Sequence, residues 1–495
     1  METLNKTQKR SENKLHGDLR LLAYLIILFF PNSTQATTLN LYYQHSLTRV
    51  DTPIAESLKN QLRNHKGDLY YPNSVARCYQ QNGYKLLWVA PDSVRTPATE
   101  AMLMLDCALQ YGLSFDDYHP EDLLIDKLHY LSVHFGQTGN DQKSRFDILL
   151  TDAVLYMINN MHYGKLNPDF PDHYLDSAVV NGFNAPQLLL NAIHGRDFKK
   201  MLETAQPVSI AYLDLKRQLQ LLTGPYQNSC YQKPKDDILK IAINMERLRW
   251  ITPEKGDYIQ VNIPSYTLKF YHAGNLDEFK VITGKPSTPT PTLQSEINYF
   301  ITCPEWKVPS KMFVEELLPQ AIKDKQYLEN NQYVIYDQQG NYVEPTTARL
   351  LEIQQRPGAF YARQSVGCGN ALGLLVFRFP NTYGIYLHDT PFLELFQRAD
   401  RDLGDQCIRV EHPEQLAALI LENDQSSEQV SNLHQAISFY RKKQFNLRHP
   451  IPLKITYLTC EVKGGRLISY KDIYAMDQSL GMALYHFNQI FSSKK

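Results

Sequence analysis

The sequence predicts an α+β fold: an N-terminal helical scaffold domain, then a β-rich domain interrupted by a lid-like insertion. Three observations predict it. Over residues 37–235 apolar residues recur at helical spacing, whereas from Tyr258 onward the apolar period is two, as in half-buried strands. Between the two regimes, residues 222–235 (LTGPYQNSCYQKPK) are rich in breakers and mark a domain boundary. Residues 307–362 change character again inside the β-rich part, which makes them an insertion over it.

Residues 1–36 read as a targeting segment. Lys6, Lys9, Arg10, Lys14 and Arg20 precede an apolar run of ten, LLAYLIILFF (21–30), followed by PNSTQA with small Thr34 and Ala36 at cleavage positions. Ten apolar residues are short for a bilayer span, so a signal peptide is favoured over a permanent anchor. Export to the periplasm is expected, with retention at the inner membrane as the alternative.

Helices are expected over 99–110, stopped by Gly112, and over 147–163, stopped by Gly164. Further helices are expected over 191–202, 209–222 and 238–250. Strands follow as YIQVNI, YTLKFYH and FKVITG, with a hairpin turn at Gly274-Asn275, and then as 297–303, 374–379 and 384–388. The stiff 286–291 (PSTPTP) cannot be a central strand. Within the insertion, 314–323 is helical and 333–342 a hairpin around Gln339-Gly340. A helix at 413–422 closes this domain at residue 423. Residues 424–495 form a C-terminal subdomain: a polar amphipathic helix, a strand at 452–462, a Gly464-Gly465 turn and a partner strand.

Composition excludes several function classes. With 51 Lys+Arg against 52 Asp+Glu, the net charge of −1 supplies no field for nucleic acid, and no nucleic-acid partner is expected. There is no P-loop, no GxGxxG, and no metal-ligand spacing of His and Cys, so neither a metal nor a cofactor is implied. The seven cysteines are an odd number, so at least one thiol stays unpaired within the chain.

The chemistry centres on residues 383–410, YGIYLHDTPFLELFQRADRDLGDQCIRV. A strand-like alternation through Tyr383, Ile385 and Leu387 reaches His388, and after a polar loop Cys407 opens a second alternation. A histidine and a cysteine thus each sit where a strand meets a loop. Paired, they make a thiolate–imidazolium nucleophile suited to acyl transfer. By spacing alone, the same residues also fit a small core cysteine and a structural histidine.

Ordered matches along residues 84–477 carry a resemblance. They are NMERLRW (244–250), GKPSTPTPT (284–292), PEWKVP (304–309), NALG (370–373), FPNTYGIYLHDTP (379–391) and CIRV (407–410). The C-terminal stretch 450–477 and, in the helical part, residues 84–88, GLSFDDYH (112–119) and LTD (150–152) fit as well. In these the chain resembles the L,D-transpeptidases of the long, YcbB-like type, which cross-link peptidoglycan. The resemblance implies Cys407 as nucleophile, His388 as general base, and the N–H groups of Cys407 and Gln406 as the oxyanion hole. It implies a substrate groove with Tyr386, Arg409 and Asn370, and peptidoglycan tetrapeptide stems as substrate, with cell-wall synthesis proteins as further partners. Trp306 belongs to the lid-like piece, as core or over the substrate. Arg363, Arg398 and Arg401, with Arg409, are the candidate guanidinium partners for stem carboxylates.

Two departures stand out. The family's S-[HS]-G-C run reads Gly404-Asp405-Gln406-Cys407. If the position before the cysteine needs positive φ, Gln406 is strained by about 1–2 kcal/mol. Alternatively the Gln406 amide itself donates to the oxyanion. Asp405 would raise the thiol pKa. The stretch between residue 222 and the helix before Asn244 is also too short for the small peptidoglycan-binding module that many long members carry. These changes leave open a degenerate member that binds wall peptide or a partner protein without turnover. The resemblance implies that the loop of Cys368 lies beside the active site, so a reversible disulfide between Cys368 and Cys407 is a further expectation.

Overall fold

The computed structural model of the protein describes residues 53–91, 97–177, 179–224, 234–252, 256–324, 326–367 and 369–486. The expected signal segment and Cys368 lie outside the described residues. Among the described residues no helix is long and apolar enough to cross a membrane.

Helices come first: α1 (Pro53–Asn64), α2 (Pro72–Gln81), α3 (Pro97–Asp106), α4 (Ile125–Val133) and the long α5 (Asn140–Tyr163). They continue with α6 (Asp172–Leu175), α7 (Ala185–Ile193), α8 (Phe198–Glu203), α9 (Ile210–Thr223) and α10 (Asp236–Arg249). Nearly all of α5 is buried, with the other helices wrapped around it. Its polar residues are spent on the core. The Asp147 carboxylate accepts the N–H groups of Leu87, Trp88 and Val89 at 2.8–2.9 Å, together with the Tyr79 hydroxyl. Asp152 accepts those of Tyr70 and Tyr71. These bonds fix two loops that carry no regular hydrogen bonds of their own. The single helix expected over 191–202 is two, because the Asp197 side chain caps a new start by accepting from Lys200 N.

The β-rich part has β1 (Tyr258–Asn262), β2 (Thr267–His272), β3 (Asn275–Gly284) and β4 (Leu293–Thr302). The insertion adds β5 (Trp306–Lys307), β6 (Tyr333–Asp337), β7 (Tyr342–Val343) and β8 (Phe360–Gln364). Then come β9 (Leu375–Arg378), β10 (Leu387–His388), β11 (Asp402–Gly404), β12 (Ile408–Val410), β13 (Lys443–Thr456), β14 (Cys460–Lys463) and β15 (Arg466–Ser469). Among the described residues the main sheet runs β11-β3-β12-β10-β9-β4-β13-β1-β2, and β2 also pairs with β3, so the sheet closes on itself. The insertion forms its own sheet, β5-β8-β6-β7, over its own apolar core.

Three boundaries differ from the sequence reading. The β2–β3 turn is Ala273-Gly274, both at positive φ, and Asn275 already pairs with His272. That two-residue geometry matches the twist of the flanking strands. Only Leu387 and His388 of the expected strand 384–388 join the ladder, because the Asn381 side chain takes both the N–H and the carbonyl of Ile385. The strand expected at 452–462 is two strands, with β13 starting earlier at Lys443.

The helical and β-rich parts meet through α10. Glu246 and Arg249 form a fully buried ion pair (3.1 Å); Arg249 also donates to the Tyr111 carbonyl and the Tyr212 hydroxyl. Asn244 bonds Thr459, and Arg247 pairs with Asp477 at 2.6 Å. Gly164, at φ 91°, ends α5 against this helix: a Cβ there would lie 2.6 Å from Trp250 Nε1 and 2.8 Å from Glu246 Oε1. Gly164→Ala is expected to destabilise the protein by about 2–5 kcal/mol, combining backbone strain with overpacking. Urea unfolding measures this; a midpoint equal to wild type would contradict it.

Candidate active site

β10 and β12 lie side by side and parallel, with Leu387 opposite Ile408 and His388 opposite Arg409. Ile408 N donates to the Tyr386 carbonyl at 3.2 Å, which sets Tyr386 beside Cys407. Because side chains alternate along a strand, Tyr386, His388, Cys407 and Arg409 project from the same face. The Tyr386 and His388 rings meet edge-on at 5.6 Å. The Tyr386 hydroxyl reaches the Cys407 sulfur on one side and the Trp306 indole on the other.

His388 is buried, and its Nδ1 lies 2.6 Å from the Asp389 carbonyl. A carbonyl only accepts, so Nδ1 carries the proton and Nε2 keeps its lone pair. Burial, with the Arg409 charge next, pushes the imidazole down to about 3, so it is neutral at physiological pH. The Cys407 thiol is pushed up, chiefly by burial. The Tyr386 amide and hydroxyl and the Arg378 charge act the other way. Asp405 raises the thiol, as expected, but it is the weakest of these influences, being exposed and paired with Lys285 at 3.3 Å. Among the described residues no hydrogen bond joins His388 to Cys407. Both shifts favour a thiol beside a neutral imidazole over the expected thiolate–imidazolium ion pair.

The segment before the cysteine is not strained. Gln406 is absent from the described non-glycine residues at positive φ. The strain reading of Gln406 is thus overturned: the loop reaches the cysteine through ordinary backbone. Among the described residues the N–H groups of Gln406 and Cys407 have no protein acceptor, as an oxyanion hole requires. The Gln406 side chain is exposed. Thr290 holds the loop from behind. Its hydroxyl accepts from Gly284 N (2.8 Å) and donates to the Gln406 carbonyl (2.9 Å), while the Tyr474 hydroxyl accepts from Thr290 N and donates to the Gly284 carbonyl.

Asn370 is fully buried and has no polar atom to offer a ligand. Its amide donates to the carbonyls of Pro304 and Ser365 and accepts Leu372 N. It corrects the expectation of a substrate contact, because it folds the loop that ends at Gly373. Gly373, at φ 59°, lets Asp389 approach so closely that a Cβ would lie 2.4 Å from its carboxyl. The Asp389 carboxylate then accepts Leu374 N and Thr390 N at 2.7 Å, which fixes the carbonyl that orients His388. Trp306 is lid core and also touches the Tyr386 hydroxyl.

Of the candidate arginines, Arg363 pairs with Glu305 and Arg401 is spent on the carbonyls of Val281, Arg398 and Tyr266; Arg398 was among the candidates only by its sequence position. Arg409 sits at the site, and among the described residues no carboxylate is within ion-pair distance of it. The sequence reading missed Arg378, whose guanidinium lies 4.3 Å over the Tyr386 ring and likewise has no described carboxylate partner. A charged residue closing the apolar strand LLVFR was the available signal. It also gave no role to Thr290 and Tyr474, although they lie in the stretches 284–292 and 450–477 that carry the resemblance.

Comparison with known proteins agrees with this arrangement. Residues 73–219 match the model of a scaffold domain, and residues 256–430 match the YkuD L,D-transpeptidase catalytic domain. The chain belongs to the L,D-transpeptidases. A curated protein of Haemophilus influenzae named "Putative L,D-transpeptidase" is 27% identical over 444 residues, covering 86% of this chain and 82% of that protein. Helical scaffold and catalytic domain together are consistent with the long, YcbB-like type.

Within this L,D-transpeptidase, Thr290→Val is expected to free the nucleophile loop and slow modification of Cys407 about tenfold or more, with Thr290→Ser near wild type. Gln406→Gly is expected to bring no gain, since no strain is there to relieve. Rates of thiol acylation for the three variants check both statements. Faster acylation in Gln406→Gly would restore the strain reading.

Proposed function

We propose that the protein is a peptidoglycan cross-linking enzyme of the periplasm that works through a Cys407 acyl-enzyme. The observation that carries this is the convergence on one sheet face of a thiol, an imidazole, two N–H donors and two cations, with imidazole Nε2, the N–H donors and the cations' charges unpartnered among the described residues.

The donor is a tetrapeptide stem, and its carboxylates fit Arg378 and Arg409. Cys407 Sγ attacks the carbonyl carbon of the third residue, a diamino acid, as its proton passes to His388 Nε2. The neutral dyad suits a transfer concerted with attack, because neither group is charged beforehand. Negative charge gathers on the carbonyl oxygen, where the Gln406 and Cys407 N–H groups receive it. The amide C–N bond breaks, His388 Nε2–H protonates the departing D-alanine nitrogen, and a thioester remains. The side-chain amine of a second stem attacks the thioester and gives its proton to Nε2. The new amide joins two diamino acids, and the thiol takes its proton back.

The alternative of a binder without turnover rested on three changes: the missing serine hydroxyl, Gln406 in place of glycine, and Asp405 near the thiol. The ordinary backbone at Gln406 removes the strain argument, and Asp405 is the weakest of the influences on the thiol. Incubation with a carbapenem is expected to leave one covalent adduct on Cys407 by intact mass and peptide mapping. Cys407→Ala is expected to abolish it, and His388→Ala to slow it about 10²–10⁴-fold. A wild-type protein that forms no adduct, where an active relative does, would favour the binder.

A further inference from the structure

The helical scaffold holds a cavity that the reaction does not use. Its volume is about 240 Å³, and its walls come from α2, α5 and the chain entering α7. Arg77 lies on one side. Its Nη1 and Nη2 donate to the Asp176 carbonyl at 3.1 Å, and Nη2 donates to Ser74 Oγ at 2.7 Å. These acceptors are neutral; the Asp176 carboxylate is occupied instead by Asn73 N and Ser74 N at the start of α2. Among the described residues Arg77 has no ion-pair partner, so its charge is left uncompensated in a concave wall.

Asn159, on α5, lines the same cavity and is only 4% exposed. Among the described residues its side-chain amide has no hydrogen-bond partner. Its side-chain nitrogen and oxygen are not among the buried atoms left without a partner, so water reaches them and a ligand's own polar groups would take that water's place. Asn184 uses its side-chain oxygen to cap α7, accepting from Gln187 N, which leaves its NH₂ for the cavity it lines. Val180 and Phe183 give an apolar wall.

We propose that this cavity is a second, non-catalytic site that takes the C-terminal carboxylate of a short peptide. The Arg77 guanidinium receives the carboxylate, because charge-assisted bonds to a planar guanidinium are the strongest available there. The Asn159 and Asn184 amides match the alternating N–H and carbonyl of a peptide unit, and the apolar wall accepts a methyl side chain. A bare inorganic anion would leave that wall and those amides unused. The volume is below the roughly 300–1,000 Å³ of drug-sized pockets, which limits the occupant to about one or two residues. Only the choice of D-alanyl peptide as probe rests on the proposed cell-wall substrate.

The test is saturation-transfer NMR on the full chain with D-alanyl-D-alanine and with its C-terminal amide. A saturable signal is expected for the acid, with affinity lowered about tenfold or more for the amide and in Arg77→Gln. Asn159→Asp is nearly isosteric and places a carboxylate where it competes for Arg77, so it should lower affinity similarly even if Arg77→Gln fails to fold. Arg409→Gln should keep binding within about twofold. Equal binding of acid and amide, unchanged binding in both cavity variants, no saturable signal, or loss in Arg409→Gln would each overturn the site. Carbapenem acylation of Cys407 should run at the wild-type rate in Arg77→Gln, so failure of this site and failure of the catalytic reading are told apart.

Discussion

The site depends on one constraint, the parallel register between β10 and β12. Leu387 opposite Ile408 sets Tyr386 beside Cys407 and His388 beside Arg409. A slip of one residue would send Cys407 and Arg409 to the far face and leave His388 alone. The register is held from both sides, since β9 pairs with β10 and β3 with β12, both antiparallel. A sheet that closes on itself leaves these short strands no freedom to slide. The motif residues are separated in sequence and adjacent in space because β10 and β12 pair directly.

Around the register, two polar supports act at one remove from the chemistry. One runs from Asn370 through Gly373 and Asp389 to the carbonyl that holds His388 Nδ1. The other runs from Tyr474 through Thr290 to the Gln406 carbonyl. Together they fix the base and the nucleophile loop independently. The second support explains how the altered Gly404–Cys407 run keeps its shape. The loop is held through the carbonyl of residue 406, which any side chain leaves available.

Much of this was legible in the sequence. The change of period at Tyr258, Gly164 at the end of α5, and the strand-end positions of His388 and Cys407 all follow from local rules that the fold obeys. The helix expected over 99–110, by contrast, ends already at Asp106, and Gly112 closes a separate 3-10 turn, Ala108–Tyr111. What stayed hidden was non-local. The electrostatics of the dyad depend on burial and on Arg378 and Arg409, which a spacing argument does not see. Asn370 was legible as important, but its full set of backbone partners shows it to be a folding device for the loop. Gln406 looked costly only under a family backbone that this chain does not need.

The resting state has consequences for the reaction. A thiolate–imidazolium pair would stand ready but would place two buried charges in a wall that already holds Arg378 and Arg409. A neutral pair avoids that cost and moves the proton only as the sulfur attacks, with Tyr386 positioned against the sulfur throughout. The direct measurement is the ¹⁵N spectrum of the His388 imidazole in the resting enzyme between about pH 5 and pH 8. A neutral ring with the proton on Nδ1 across that range is the predicted result. An imidazolium at neutral pH that disappears in Cys407→Ala would contradict it.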